Sequence, residues 1–289
     1  MNTQALILHG LQASIIGTVF SFGLRATVAD AGFLLRHPGL LLRSVVAVFV
    51  AMPLVALLIV EVFALPRATE IALVVLALAP IPPLLPKKGT KAGGEGAYAL
   101  GLMVMMGLLS VALIPLILMA LGTYFHREFG MSPLAIAKVV VVMIVIPLLA
   151  GMTVRAAWPA LAARLVGPIA LLSLILLLGC AALVLYAVMP AVTHLLGNGT
   201  VLAIAAFVII GLLVGHLLGG PVPERRTVLA LSTASRHPAI ALAIAKSNFP
   251  DEPHLAATIV LYLLVATVLA IPYIQWRRRR APSGVANPG

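Results

Sequence analysis

Long apolar stretches separated by short polar ones run the length of the 289-residue chain. They fall at about 5–25, 39–63, 69–86, 95–105, 107–124, 133–156, 166–189, 199–219, 224–247 and 255–276. Most approach the roughly 20 residues with which a helix crosses about 30 Å of hydrocarbon. The stretches 69–86 and 95–105 are too short to be two crossings. They read as one span interrupted by the segment from Pro80 to Glu95, which leaves nine crossings. The pattern predicts an all-α polytopic membrane protein: one transmembrane domain over 1–276, then a basic tail over 277–289.

Composition strengthens that reading. Hydrophobic residues make up 62% of the chain and charged ones 9%, against roughly 25% charged in soluble domains. Such a chain cannot cover a water-facing surface, so its expected partner is the lipid bilayer. The net charge of +11 would suggest a nucleic-acid partner in a soluble protein. Here it indicates cytoplasmic loops, which collect Lys and Arg, and no nucleic acid is expected. Arg25, Arg36, Arg43, Arg155, Arg164, Arg225, Arg226 and the run Arg277–Arg280 fall on one side. Arg67, Arg127, Lys138 and Lys246 fall on the other. The N-terminus is therefore expected outside and the C-terminus in the cytoplasm, across the inner (plasma) membrane of a bacterium. Residues 1–4 lack the positive flank of a signal peptide. The single cysteine, Cys180, can form no disulfide within the chain and reads as a small packing residue.

Two segments break the rules for a plain spanning helix. The first, from Pro80 to Glu95, holds prolines, lysines and glycines that cannot continue a helix facing lipid. The second runs from Leu231 to Pro238, inside an otherwise apolar stretch, and carries Arg236 and His237. A charge at membrane depth is costly unless paired or wet. Irregular backbone is tolerated there where it lines a cavity or is buried in protein. Each break also creates half-helix ends, and a half-helix N-terminus is a ready anion site. The breaks fall in matching places. A first repeat over 5–124 and a second over 133–276 are expected to be inverted copies, the stretch 133–156 being left over. Paired breaks of this kind point to a transporter's midplane site.

The residues at the breaks form the candidate site. Lys91, with Lys87 and Lys88, reads either as a wet interface loop or as a cationic funnel for an organic anion. Gly94 and Gly96 offer tight packing or an amide nest for a carboxylate. Glu95 is the one carboxylate near either break, placed to neutralise a lysine or relay protons. Ser110, Ser232, Thr233 and Ser235 bond either their own helices or a ligand. Arg236 either pairs with a carbonyl or with Glu95, or contacts substrate. His237 reads as a hydrogen-bonded residue of the helix break, or as a proton-coupling or ligand-binding group. No metal-binding, nucleotide-binding or hydrolase signature is present, so neither an enzyme nor a catalytic residue is expected.

These residues also carry a family resemblance. The phrase VFSFGLRATVADAGFLLRHPGLLLRSVVAVFVAMPLVALLI, with His37-Pro38 in a loop and Met52-Pro53 in the next helix, resembles the bile acid:sodium symporter family. LSVALIPLILMALG and VLALSTASRHPAIALAIAKSNF look like the helix after that family's first broken helix and like its second broken helix. The resemblance covers about residues 14–276 in what looks like a nine-span form. It implies two crossing broken helices in a core domain that moves against a panel domain to give alternating access.

The resemblance also implies a departure. Members that bind two sodium ions use a Glu and a Gln in the second broken helix, where this chain has Ser232 and Arg236. An Asn that follows is His237, and a Ser-Asn pair at the first break is Gly96 and Ala97. Sodium binding is therefore doubtful, and no cofactor or metal site is expected. The expectation is a secondary transporter for a small organic anion, sodium-independent or proton-coupled, in which the Arg236 guanidinium takes the place of a sodium ion. The alternative is a non-transporting sensor or ligand-binding module on the same fold.

Overall fold

The computed structural model describes residues 3–82, 85–125, 141–195 and 198–280, together with Leu134 and Lys138. Among them every regular element is a helix. In chain order these are α1 (Thr3–Gly23), α2 (Val28–Ala31), α3 (Pro38–Val62), α4 (Arg67–Leu78), α5 (Leu85–Lys91) and α6 (Gly96–Phe125). Then follow α7 (Val141–Ala157), α8 (Pro159–Leu195), α9 (Thr200–Leu218), α10 (Pro223–Ala234), α11 (Pro238–Asn248) and α12 (Leu255–Arg280). Among the described residues α3, α6, α8, α9 and α12 are long and apolar enough to cross a membrane. The chain is an integral membrane protein.

Two expectations about the elements change. The stretches 95–105 and 107–124 form a single helix, α6. The segment expected to be irregular holds a short helix instead, α5. Pro86 does not prevent it, because a proline in the first helical turn withholds an amide that has no partner there anyway. Gly93, at φ 79, turns the chain out of α5, a conformation that glycine adopts at no steric cost. The second change is at the C-terminus. Arg277–Arg280, expected to open a tail, are the last turn of α12.

Proline shapes two further helices. α3 contains a π-helical turn at Val46–Ala51 and α7 another at Val141–Val145. Each ends one residue before an X-Pro step, Met52-Pro53 and Ile146-Pro147. A proline inside a helix supplies no amide and its ring pushes on the preceding turn, which widens into a π bulge.

Two sets of helices pack closely, joined where α8 of the first lies against α12 of the second. α1 lies against α7 and α8. Gly23 and Gly151 bring α1 and α7 close enough that a methyl on either would strike the other's backbone. Cys180 packs against Gly10 at the α1–α8 contact, as a small packing residue should. The window of α8 that is apolar enough to span is only 11% buried, so this helix turns most of its surface to lipid. The second group joins α3, α4 and α9–α12. Its closest contact is α9 on α10, where Gly211, Gly215 and Gly219 recur every fourth residue. A methyl on Gly215 would collide with Leu229 O and Ala230 Cα. Small residues at this spacing let two backbones approach without an intervening side-chain layer.

Candidate functional site

The two breaks meet. α4 ends at Leu78 and its cap, Ala79, is extended. α10 ends at Ala234, and Ser235 and His237 are extended before Pro238 restarts the helix as α11. The His237 amide donates to the Pro80 carbonyl at 3.0 Å. The irregular part of the second break is thus three residues, Ser235, Arg236 and His237, narrower than the expected Leu231–Pro238.

Arg236 lies at this crossing, 1% exposed. Its Nη2 donates to the Val48 carbonyl at 3.2 Å and its Nη1 to the Ala79 carbonyl at 3.4 Å. Both acceptors follow from the local sequence. Across a π turn the carbonyl of residue 48 is served by the amide of residue 53, and residue 53 is a proline. Ala79 caps α4, where carbonyls carry the negative end of the helix dipole and lack intrahelical donors. The guanidinium therefore joins α3, the end of α4 and the second break through its donor fork. Among the described residues no carboxylate pairs with it.

Tyr262 of α12 holds the same break from the other side. Its hydroxyl donates to the Ala234 carbonyl at 2.9 Å and accepts from the Arg236 amide at 2.8 Å. His237 caps α11: its Nδ1 accepts from the Ile240 amide at 3.4 Å. Two buried nitrogens at the crossing, Arg236 Nε and His237 Nε2, have no hydrogen-bond partner among the described residues.

The other candidate residues divide from this group. Glu95 pairs with Arg225 near the start of α10, Oε2 to Nε at 2.7 Å, both side chains about a quarter exposed. Its partner is thus neither Arg236 nor a lysine. Arg225 also lies over the Phe33 ring, 5.5 Å from its centroid. Gly94 is buried where α5 meets Val228 of α10, and Gly96 opens α6. Lys91 is exposed. This set sits where α10 begins, about 15 Å of helix from Arg236, so the structure does not bring Lys91, Gly94, Glu95 and Gly96 to the crossing. Nearby, Tyr98 Oη and Ser44 Oγ are hydrogen-bonded at 2.8 Å and tie α6 to α3.

The hydroxyls bond locally. Ser110 donates to Gly107 O and Ser232 to Val228 O, each within its own helix at 2.7 Å. Thr233 reaches across to the Gly211 carbonyl of α9 at 2.5 Å. Ser235 is partly exposed at the second break. A cavity of about 10 Å³ lies beside the first break, between Val19, Ile81, Met103, Gly107, Ile144 and Leu148.

Sequence reasoning missed Val48, Ala79, Tyr262 and Arg225. Pro53 carries the signal for Val48, because it strips an amide from the turn that presents that carbonyl. Tyr262 is the one hydroxyl in the run IVLYLLV, and a buried Tyr hydroxyl usually has a partner.

Helix interruptions that meet inside a bundle of membrane helices are a feature found in secondary carriers. The comparison with known families is more specific. The model of the Sodium Bile acid symporter family matches residues 14–194, and the chain belongs to that family. The match covers the first break and ends before α9, so the second break lies outside it. No curated relative matches the chain.

Proposed function

We propose that this protein is a secondary transporter that moves a small organic anion by alternating access, with Arg236 serving as a built-in cation at the crossing of the broken helices. The observation that carries the reading is the buried Arg236 guanidinium bonded to the Val48 and Ala79 carbonyls. Carbonyls at a half-helix end and at a helix distortion are what a bound cation would use. Here a side chain supplies the charge, which supports sodium-independent transport. The unpartnered His237 Nε2 beside it supports proton coupling as the alternative drive.

In this reading α1, α3, α6, α7, α8, α9 and α12 with the broken pairs α4–α5 and α10–α11 make nine crossings. They form two inverted repeats, with the N-terminus outside and the C-terminus in the cytoplasm. The group of α1, α7 and α8 acts as the panel against which the remainder moves. The anion is held near the positive start of α11 by Arg236, Ser235 and His237. Lys91 and the glycines around Glu95 line its approach. Organic anion uptake into proteoliposomes, in sodium-free buffer under an imposed proton or substrate gradient, tests this. Uptake without sodium, lost in Arg236→Ala, is expected. A strict sodium requirement overturns the resident-cation reading. Ligand binding without flux overturns transport and identifies a sensor.

A further inference from the structure

A second built site lies at the far end of α12, remote from the crossing. α12 has 26 residues, about 39 Å of helix against about 30 Å of hydrocarbon, so its last turns stand in the headgroup layer. There Trp276 is flanked by two guanidiniums, Arg277 at 5.4 Å and Arg280 at 5.0 Å from the ring centroid. Its ring also packs on His216 and Tyr273 at 5.5 and 5.7 Å between centroids. His216 Nδ1 and Tyr273 Oη are hydrogen-bonded at 2.9 Å, which fixes the two rings.

Arg277 is unusual for a residue at the end of a helix. It is 8% exposed. Its Nε donates to Thr227 Oγ1 at 2.7 Å and its Nη2 to the Pro223 carbonyl at 2.9 Å. The fold thus holds a guanidinium rigidly against α10 with no carboxylate on it among the described residues. Arg278, Arg279 and Arg280 follow it and are exposed. On the other side of the same corner, Arg226 donates to the Gly220 carbonyl at 2.6 Å. The Arg43 guanidinium approaches Gly220 as well. Glu224 is the carboxylate on this corner, and Arg225 is taken by Glu95. The corner is left strongly positive.

Deeper along the same two helices large apolar side chains are exposed: Leu213 and Leu217 on α9, and Val268 and Ile271 on α12. A charged helix end that continues into exposed apolar helix surface matches a ligand with a phosphate head and acyl chains. Free phosphate would have no use for that apolar surface. We infer that the Trp276–Arg277 corner, between the end of α12 and the α9–α10 turn, is a binding site for an anionic phospholipid, with the phosphate on the arginines and the chains along α9 and α12. The rigid aromatic wall and the buried Arg277 distinguish it from a loose run of surface charge, and the expected preference is for one lipid per corner rather than a diffuse coat.

The chain has two tryptophans, so Trp158→Phe leaves Trp276 as the reporter. The full-length Trp158→Phe protein is reconstituted into phosphatidylcholine vesicles containing either brominated phosphatidylglycerol or brominated phosphatidylcholine. Stronger quenching of Trp276 by the phosphatidylglycerol is expected. Adding Arg278→Gln and Arg280→Gln, both exposed, is expected to lower that preference on the order of tenfold. Equal quenching by the two lipids overturns the site. A preference unchanged by the double substitution overturns the arginine assignment. Reversal of the quenching by millimolar inorganic phosphate overturns the lipid in favour of a soluble anion.

Discussion

The backbone amide of His237 donates to the backbone carbonyl of Pro80 at 3.0 Å, so the two breaks are bonded to each other and not merely near one another. Neither partner is a side-chain atom. Substitution of either residue alone leaves the bond possible, and the crossing is best probed through the groups that hold it. Tyr262 is the clearest of these. Tyr262→Phe removes a hydroxyl that serves both the Ala234 carbonyl and the Arg236 amide, leaving two buried backbone groups unpaired. A loss of about 2–4 kcal/mol is expected, measured by denaturant unfolding in micelles. Faster amide exchange at Ser235, Arg236, His237 and Ile240 than in the rest of α11 is expected to accompany it. A variant with wild-type stability would show that Tyr262 does not hold the break.

Pro53 is expected to behave in the opposite way. Pro53→Ala restores an amide inside α3 and relieves a helix-interior proline, worth up to about 3 kcal/mol. The new amide competes with Arg236 for the carbonyl it uses. Stability is therefore expected to rise while uptake falls. A variant whose uptake equals wild type would disconnect the π turn from function.

Gly215→Ala is expected to destabilise by about 2 kcal/mol or more, because its methyl would meet the α10 backbone at Leu229 and Ala230 as well as the Thr233 hydroxyl, and the backbone cannot yield. Gly39→Ala is the control. Nothing lies within 4 Å of its new methyl, and a change of less than about 1 kcal/mol is expected. Comparing thermal midpoints of the two variants in the same detergent checks this.

Glu95 and Arg225 form an ion pair with both side chains about a quarter exposed. Pairs of that kind contribute about 1 kcal/mol or less, so Glu95→Gln and Arg225→Gln are expected to leave the thermal midpoint almost unchanged. The same pair joins the turn after α5 to the start of α10. If the broken helices move apart or together during transport, each single variant alters the uptake rate and the swapped pair Glu95→Arg with Arg225→Glu restores it. Unchanged uptake in both single variants would exclude the pair from the cycle.

How much of this was legible in the sequence varied with the kind of signal. Apolar runs such as 199–219 and 255–276 announce helices, because only a helix lets one continuous segment satisfy its own backbone in lipid. The break at Ser235–His237 was legible for the same reason: Arg236 and Pro238 violate that rule within three residues. The first break was harder. The density of prolines and lysines between Pro80 and Glu95 hid α5, since a proline at a helix start and one in its interior look alike without the boundary. Arg236 was legible as a site residue, but its acceptors were not. Val48 and Ala79 contribute only backbone carbonyls, and no side chain marks them. Glu95 was legible as a carboxylate in need of a partner, while Arg225 lay 130 positions away among other basic residues that looked equivalent.

The bonds at the crossing also constrain how the protein is made. Arg236 and Ala79 are 157 positions apart, and a ribosome adding roughly 5–20 residues per second takes about 10–30 s to cover that distance. Once α3 and α4 have entered the bilayer, the Val48 and Ala79 carbonyls await donors not yet synthesised. The N-terminal half is thus an unfinished object until the last third of the chain emerges, and quality control has a long window in which to find it.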